Sequence, residues 1–418
     1  MLFSGPAPRL SSGTWTLLTP SKRRELDCRR SAPVSAASDA QQSSWDKAYQ
    51  YQIDLRLVSL RGSVPSAWID DFRGVMEGKG RISMSQRGQL FDIFKELSDP
   101  KKKNSAATAD AVTLGDAWLG PAIARGLLQP IPEAKVARWW SSLYPHWRKL
   151  IQRDSLGHAA AEGQVWAAPY RWGATLIAFR KDLLLRNGGR PVQDWTDLLQ
   201  PKLRGRLGFV DAPREFLGAA MRSLGLSMNE DISSGSCEAT FADVQARVQQ
   251  LHGQVRVFSN NEHVRALSGG DVWAIVGWSG DLLPLAARTP AVQVVCPASG
   301  TALWADLWAV PSQACHGSQG RGPSPLLPAW LEHGLQPQRA QRSKGLDHGA
   351  SPLLLPGSAA PPPPGQACHS VAEGAALEAA EYGMADKHMP AEAVLERSEF
   401  LLPVSSRMMQ THSRLLAL

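Results

Sequence analysis

Short apolar runs alternate with segments of helical period along most of this chain. Asp54-Leu55-Arg56-Leu57-Val58 is the first predicted strand; Gly62, Ser63 and Pro65 make a loop, and Trp68, Phe72 and Met76 then recur at helical spacing. Asp110–Leu114 is a further strand, and Pro121–Leu128 is expected as a helix that ends before Pro130. Leu176–Phe179 follows Trp172-Gly173 as a strand. Asp194 is placed to cap a helix over Trp195–Leu199, which Pro201 stops. Leu207–Val210 is a short strand running into Asp211-Ala212-Pro213. Pro213 suits the first position of a helix whose apolar face is Phe216, Leu217, Ala220, Met221 and Leu224, up to Gly225. Val272–Val276, Val292–Val295 and Leu303–Val310 are expected strands, the last crossing back to the first half of the molecule. Leu327, Trp330, Leu331 and Leu335 mark a helix within Pro323–Ala340, and Ala393–Leu418 is expected to return as a terminal helix.

Strands alternating with helices imply βαβ units and mainly parallel sheets, an α/β fold. At 418 residues the chain is long enough for two packed lobes. Open α/β sheets bind ligands beyond the carboxyl ends of their strands, so loops 59–65, 114–118, 210–215, 276–281 and 302–306 are expected to converge on one cleft.

Composition narrows this further. The net charge of +7 comes from Lys and Arg scattered along the chain, except at Lys101-Lys102-Lys103 and in the first thirty residues, so no nucleic-acid partner is expected. No run of 18 apolar residues occurs, so no membrane-spanning helix is expected. Thirteen of the fifteen tryptophans fall between Trp68 and Trp330, which assigns most of them to packing and leaves a few to line a cleft. The five cysteines imply no disulfide framework. Gln313-Ala314-Cys315-His316 recurs as Gln366-Ala367-Cys368-His369, but adjacent ligands in low-complexity sequence chelate poorly, and neither a metal site nor a cofactor is expected. No nucleophile elbow, zinc-protease motif or phosphate-binding glycine loop is present, so no enzyme activity is expected. Residues 1–44, rich in Ser, Ala, Pro and Arg, poor in acids and without an apolar core segment, match a transit peptide or a disordered tail. Residues 346–385 include LPGSAAPPPPGQACHSVAEG, expected to be an exposed, Pro-rich insertion.

Three phrases, WAAPYRWGATLIAFRKDLL, GRLGFVDAPREFLGAAMRSLG and GWSGDLLPLAARTP…GTALWADLWAVP, occur in that order between Trp166 and Pro311. Together they resemble the spermidine/putrescine-binding type of bacterial extracellular solute-binding proteins, from about Ile53 to Gln336. The resemblance implies a type II periplasmic-binding-protein fold, two lobes with a hinge and a central ligand cleft, and no catalysis. It places lobe 1 at 50–170 and 305–345, and lobe 2 at 173–303 and 390–418. It further implies a monomer that captures a polyamine for transport with a membrane permease component. Such a protein with a transit-like leader looks like a chloroplast homologue of proteins that are periplasmic in bacteria.

A polyamine needs carboxylates for its ammonium groups and aromatic faces for its methylenes. By the motifs PREF, GWSGD and LWADL, Glu215, Trp278, Trp304 and Asp306 match ligand-contacting positions of the family. Each has an alternative. Glu215 also suits a helix start, paired with Arg214. Asp306, on an otherwise apolar strand, needs a cation, from ligand or from an internal arginine. Trp278, before a helix start at Ser279, and Trp304 are divided between cleft and packing. Trp118 is expected to close over ligand, Asp116 to accept an ammonium, and Asp211 to stand one residue from the family's acidic position, which Ala212 occupies here. Trp172 is expected to pack at the lobe crossover and Gly173 to let the hinge turn. Arg61 departs from the aromatic first-lobe loop of the family. With Arg171 or Arg214 it would suit an anionic or neutral ligand instead. A protein that has left transport for an organellar interaction role, using the Pro-rich insertion, is the third possibility.

Overall fold

Two strands too long for a single lobe organise the molecule in this computed structural model. It describes residues 53–77, 80–99, 104–232, 240–314, 322–340, 345–353, 382–386, 388–402 and 404–417. The first long strand, Ala167–Arg180, runs fourteen residues and is almost wholly buried. The second, Ala302–Pro311, pairs antiparallel with it from Leu303 opposite Ala174 to Ala309 opposite Ala167. Both strands are buried along most of their length because each end of the ribbon lies in the sheet of a different lobe.

In lobe 1 the ribbon meets Ala111–Gly115, which is followed outward by Ile53–Leu60 and then Gly80–Arg87, the last two pairs parallel. In lobe 2 Ala167–Arg180 meets Ala274–Trp278 and Val292–Val295, both antiparallel. Leu207–Phe209 and Val255–Phe258 continue the sheet from Ala274–Trp278 in parallel. Leu55, Phe72, Val112, Trp147 and Trp330 sit in the lobe 1 core, and Phe179, Trp195, Phe209, Phe216 and Met221 in that of lobe 2. Most of the tryptophans are thus consumed by packing, as Trp308 is against Tyr170 and Trp330.

Several local expectations hold closely. Pro213 opens the helix Pro213–Arg222, Val292–Val295 is a strand, and Asp194 caps Trp195–Leu199 through a reciprocal bond with Asp197, though this segment is 3-10 rather than α. Others differ. The helix expected at Pro121–Leu128 runs Asp116–Ala124 with Pro121 inside it; burial of Leu119 and Ile123 outweighs the backbone bond that proline cannot make. The strand Gly80–Arg87 and the helix Leu90–Leu97 add to the expected elements, the helix placing Leu90, Ile93, Phe94 and Leu97 at helical spacing. Residues 302–306 are not a loop tip but part of the second long strand. The terminal stretch divides into Glu392–Leu395, Glu399–Phe400 and Ser406–Leu416, and Glu399–Phe400 pairs with Ala302–Leu303.

The edges of the expected insertion are structured. Leu346 and Ala350 are fully buried, and Ala350 exchanges both backbone hydrogen bonds with Trp172. Tyr382 and Met384 are also buried. Residues 345–353 therefore form a short strap against the first long strand. The leader 1–44, the two Cys-His pairs and the Pro-rich centre of the insertion lie outside the described residues. Among the described residues no helix is long and apolar enough to cross a membrane.

Candidate functional site

Side chains two apart on a strand share a face of the sheet, so Arg171, Gly173 and Thr175 form one row along Ala167–Arg180. The neighbouring strands place a candidate residue beside each. Asp306 pairs with Arg171 and Trp304 with Gly173 on one side; Trp278 pairs with Thr175 on the other. A register shift between Asp306 and Leu307 leaves Tyr170 as the extra residue, next to Pro169, which has no N–H to give. Three of the sequence-predicted residues, Asp306, Trp304 and Trp278, are thereby gathered along a ladder that crosses from one lobe to the other.

The lobe 2 end is built around Glu215, in the first turn of Pro213–Arg222, where the helix dipole favours its charge. Trp278 Nε1 donates to its Oε1 at 2.8 Å, and Thr175 Oγ1 donates to its Oε2 at 2.6 Å. Arg214 does not pair with it: that guanidinium donates to the Leu402 carbonyl and to Asn229, and burial lowers its pKa to about 10. Among the described residues no cation is paired with Glu215. Protein packed around the carboxyl raises its pKa, against the two donors that lower it, yet the residue is only half-buried. A group surrounded by protein but reached by water lines a concavity.

The middle of the ladder is occupied by Trp304. A Cβ on Gly173 would overlap its ring and the Ser279 hydroxyl, so glycine is there to admit the indole. Gly173 lies in regular strand and is not among the glycines with positive φ, so it provides space rather than a turn.

At the far end Asp306, 3% exposed, accepts a hydrogen bond from Arg171 Nε at 2.5 Å. In this structure the cation beside this carboxylate is the internal Arg171. Arg171 also donates through Nη1 to the His348 carbonyl at 3.2 Å and stands over the Trp304 ring, 5.4 Å from its centroid. Burial disfavours the guanidinium charge, but Asp306 holds its pKa above the ordinary value.

Asp116 starts its helix directly after Gly115, which pairs with Asp306; it is 7% exposed, with Oδ1 accepting the Ala305 N–H at 3.0 Å. Burial raises its pKa to about 7; backbone donors oppose this, while Asp306 and Glu215 add repulsion. Trp118 is half-buried against Phe91 and Phe94, with centroids 5.9 and 4.6 Å away, which makes it a packing residue of lobe 1 here. Asp211 is half-buried at the end of Leu207–Phe209, its N–H donated to Asn260.

Thr175, Asp281 and the strap were not singled out from sequence. Asp281 lies in the first turn of Ser279–Arg288, inside the GWSGD phrase. It is exposed, yet crowding by protein raises its pKa and Arg171 lowers it. The signal was helical position, three residues after Trp278. Nothing in the sequence pointed to the strap, because its contact is made through the His348 carbonyl.

Residues 92–320 match the family model for bacterial extracellular solute-binding proteins, more than half of the chain. The chain belongs to that family. Its members bind solutes without catalysis. This solute-binding protein is similar to the putrescine-binding periplasmic protein PotF of Escherichia coli, 24% identical over 240 residues, covering 54% of the chain and 62% of the relative. It is 27% identical over 189 residues to the spermidine/putrescine-binding periplasmic protein of the same bacterium, covering 45% of the chain and 49% of the relative. The matches thus span half to three fifths of these relatives. Among solved structures, the spermidine/putrescine transporter substrate-binding protein PotD of Streptococcus pneumoniae aligns with a TM-score of 0.64 at 14% identity, over 87% of this chain and 97% of that one. The solute-binding protein therefore has the type II periplasmic-binding-protein fold, two lobes of mixed α/β topology.

Proposed function

We propose that this protein captures a small ammonium-bearing solute of the polyamine class between its lobes, for delivery to a membrane permease. The observation that carries the reading is Glu215: a carboxylate oriented by Trp278 and Thr175, reached by water, and paired with no cation among the described residues. An ammonium placed there gains a charge-assisted hydrogen bond, worth about 1.5–3 kcal/mol, and the neighbouring indole adds a face for the attached methylenes. The names of the relatives, putrescine- and spermidine-binding, agree with that chemistry. An anionic solute fits less well. Arg171 is engaged by Asp306 and Arg214 by Leu402 and Asn229, while Trp278 has Glu215 at hydrogen-bond distance and Asp281 three residues on.

Calorimetry with putrescine, spermidine and 1-aminobutane tests the reading. Saturable heat, with a rise in Tm, is expected for at least one amine. No heat and no Tm shift at millimolar amine rejects it; saturation by an organic anion instead, lost on Arg171→Ala, replaces it.

A further inference from the structure

The two ends of the ladder have like composition. Each offers a carboxylate and an indole: Glu215, on its helix, with Trp278 at the end of its strand in lobe 2, and Asp306 with Trp304, two apart on one strand, at the crossover. Among the described residues only one end holds a cation. Arg171 brings its guanidinium to Asp306, lies over the Trp304 face and reaches the His348 carbonyl. Carboxylate, aromatic face and carbonyl are the three contacts by which a protein recognises an ammonium, and here one side chain of the chain itself makes all three.

The arginine is held in place from behind. Gly349 has φ +85°, and a Cβ on it would come within 3.0–3.3 Å of the Arg171 side-chain carbons. The backbone pair between Trp172 and Ala350 and the buried Leu346 fix the strap that carries this glycine and the His348 carbonyl. Trp172 Nε1 adds a hydrogen bond to the Ser351 carbonyl at 3.1 Å.

We infer that Arg171 is a built-in cation that fills one of two ammonium positions, so that the site takes its solute through a single ammonium at Glu215. The inference rests on the amine reading above and makes Arg171 a specificity-determining residue. Of the two ladder carboxylates, a diamine finds Glu215 available and Asp306 already neutralised, with the guanidinium charge facing its second ammonium. A solute with one ammonium and an uncharged tail meets no such repulsion.

The test is calorimetric titration of the full chain and of Arg171→Met with putrescine and with 1-aminobutane, which differ by one ammonium. The wild-type protein is expected to bind the two within about threefold. Arg171→Met is expected to favour putrescine by tenfold or more, with 1-aminobutane little changed, because a buried carboxylate is then released for the second ammonium. Removing the partner of Asp306 lowers stability, so Arg171→Gln, whose amide still donates to Asp306 without a charge, serves where the methionine variant does not fold. The same direction is expected with a smaller gain.

A wild-type preference for putrescine of tenfold or more overturns the inference, since the second ammonium then already has its place. So does an unchanged ratio in both variants. If neither amine binds any of the proteins, the amine reading itself fails and the inference with it. That outcome is distinct from the first two, in which amine binding is retained.

Discussion

Asp116→Asn should leave stability near wild type in acid and raise it at alkaline pH. The carboxyl is 7% exposed, and its pKa stands at about 7 against 3.8 for the free side chain. Unfolded, it ionises near 3.8; folded, it keeps its proton to about 7. Between those values the unfolded chain holds fewer protons, so raising the pH favours unfolding. Each tenfold in proton affinity is worth about 1.4 kcal/mol, so ionised Asp116 costs the folded state about 4 kcal/mol above pH 7, and nothing below pH 3.8. Asparagine keeps an oxygen for the Ala305 N–H and never ionises. Repulsion from Glu215 and Asp306 is part of what raises the Asp116 pKa, so the difference between the two proteins includes it. Urea unfolding of both proteins at pH 4, 6, 7.5 and 9 measures that difference. The variant should be near wild type at pH 4 and more stable by a few kcal/mol at pH 9. A difference that does not change with pH would refute the argument.

Three further outcomes follow from the same geometry. Glu215→Gln leaves one of the Thr175 and Trp278 donors without its acceptor and removes the charge, so amine affinity measured by calorimetry should fall roughly thirtyfold, about 2 kcal/mol; unchanged affinity would move the ammonium elsewhere. Gly173→Ala forces a methyl into the Trp304 ring and the Ser279 hydroxyl, and should cost about 1–3 kcal/mol in urea unfolding, with weakened amine binding. Gly349→Ala strains a left-handed residue against the Arg171 stem and should lower stability by about 1–3 kcal/mol, whereas Gly74→Ala, in a helix with open space around the added methyl, should not.

What the order of residues settled by itself is local. Proline at 213 fits only the start of a helix, Asp194 and Asp197 cap one another across a single turn, and the apolar run at Val292–Val295 suits a buried strand. The three quoted phrases were enough for the two-lobed architecture, and they carried Glu215, Trp278, Trp304 and Asp306 with them. Partnership was another matter. Arg171 and Asp306 are 135 residues apart, and they meet only because a register shift at Tyr170 sets which residue of one long strand faces which of the other. Arg214, adjacent to Glu215 in sequence, turns instead to a segment 188 residues away. Backbone carbonyls and a left-handed glycine of the strap add contacts that no side-chain pattern encodes. Periodicity reports which face of an element is buried; which charge neutralises which depends on strand register and the return of distant chain, and those exist only once the sheet has formed.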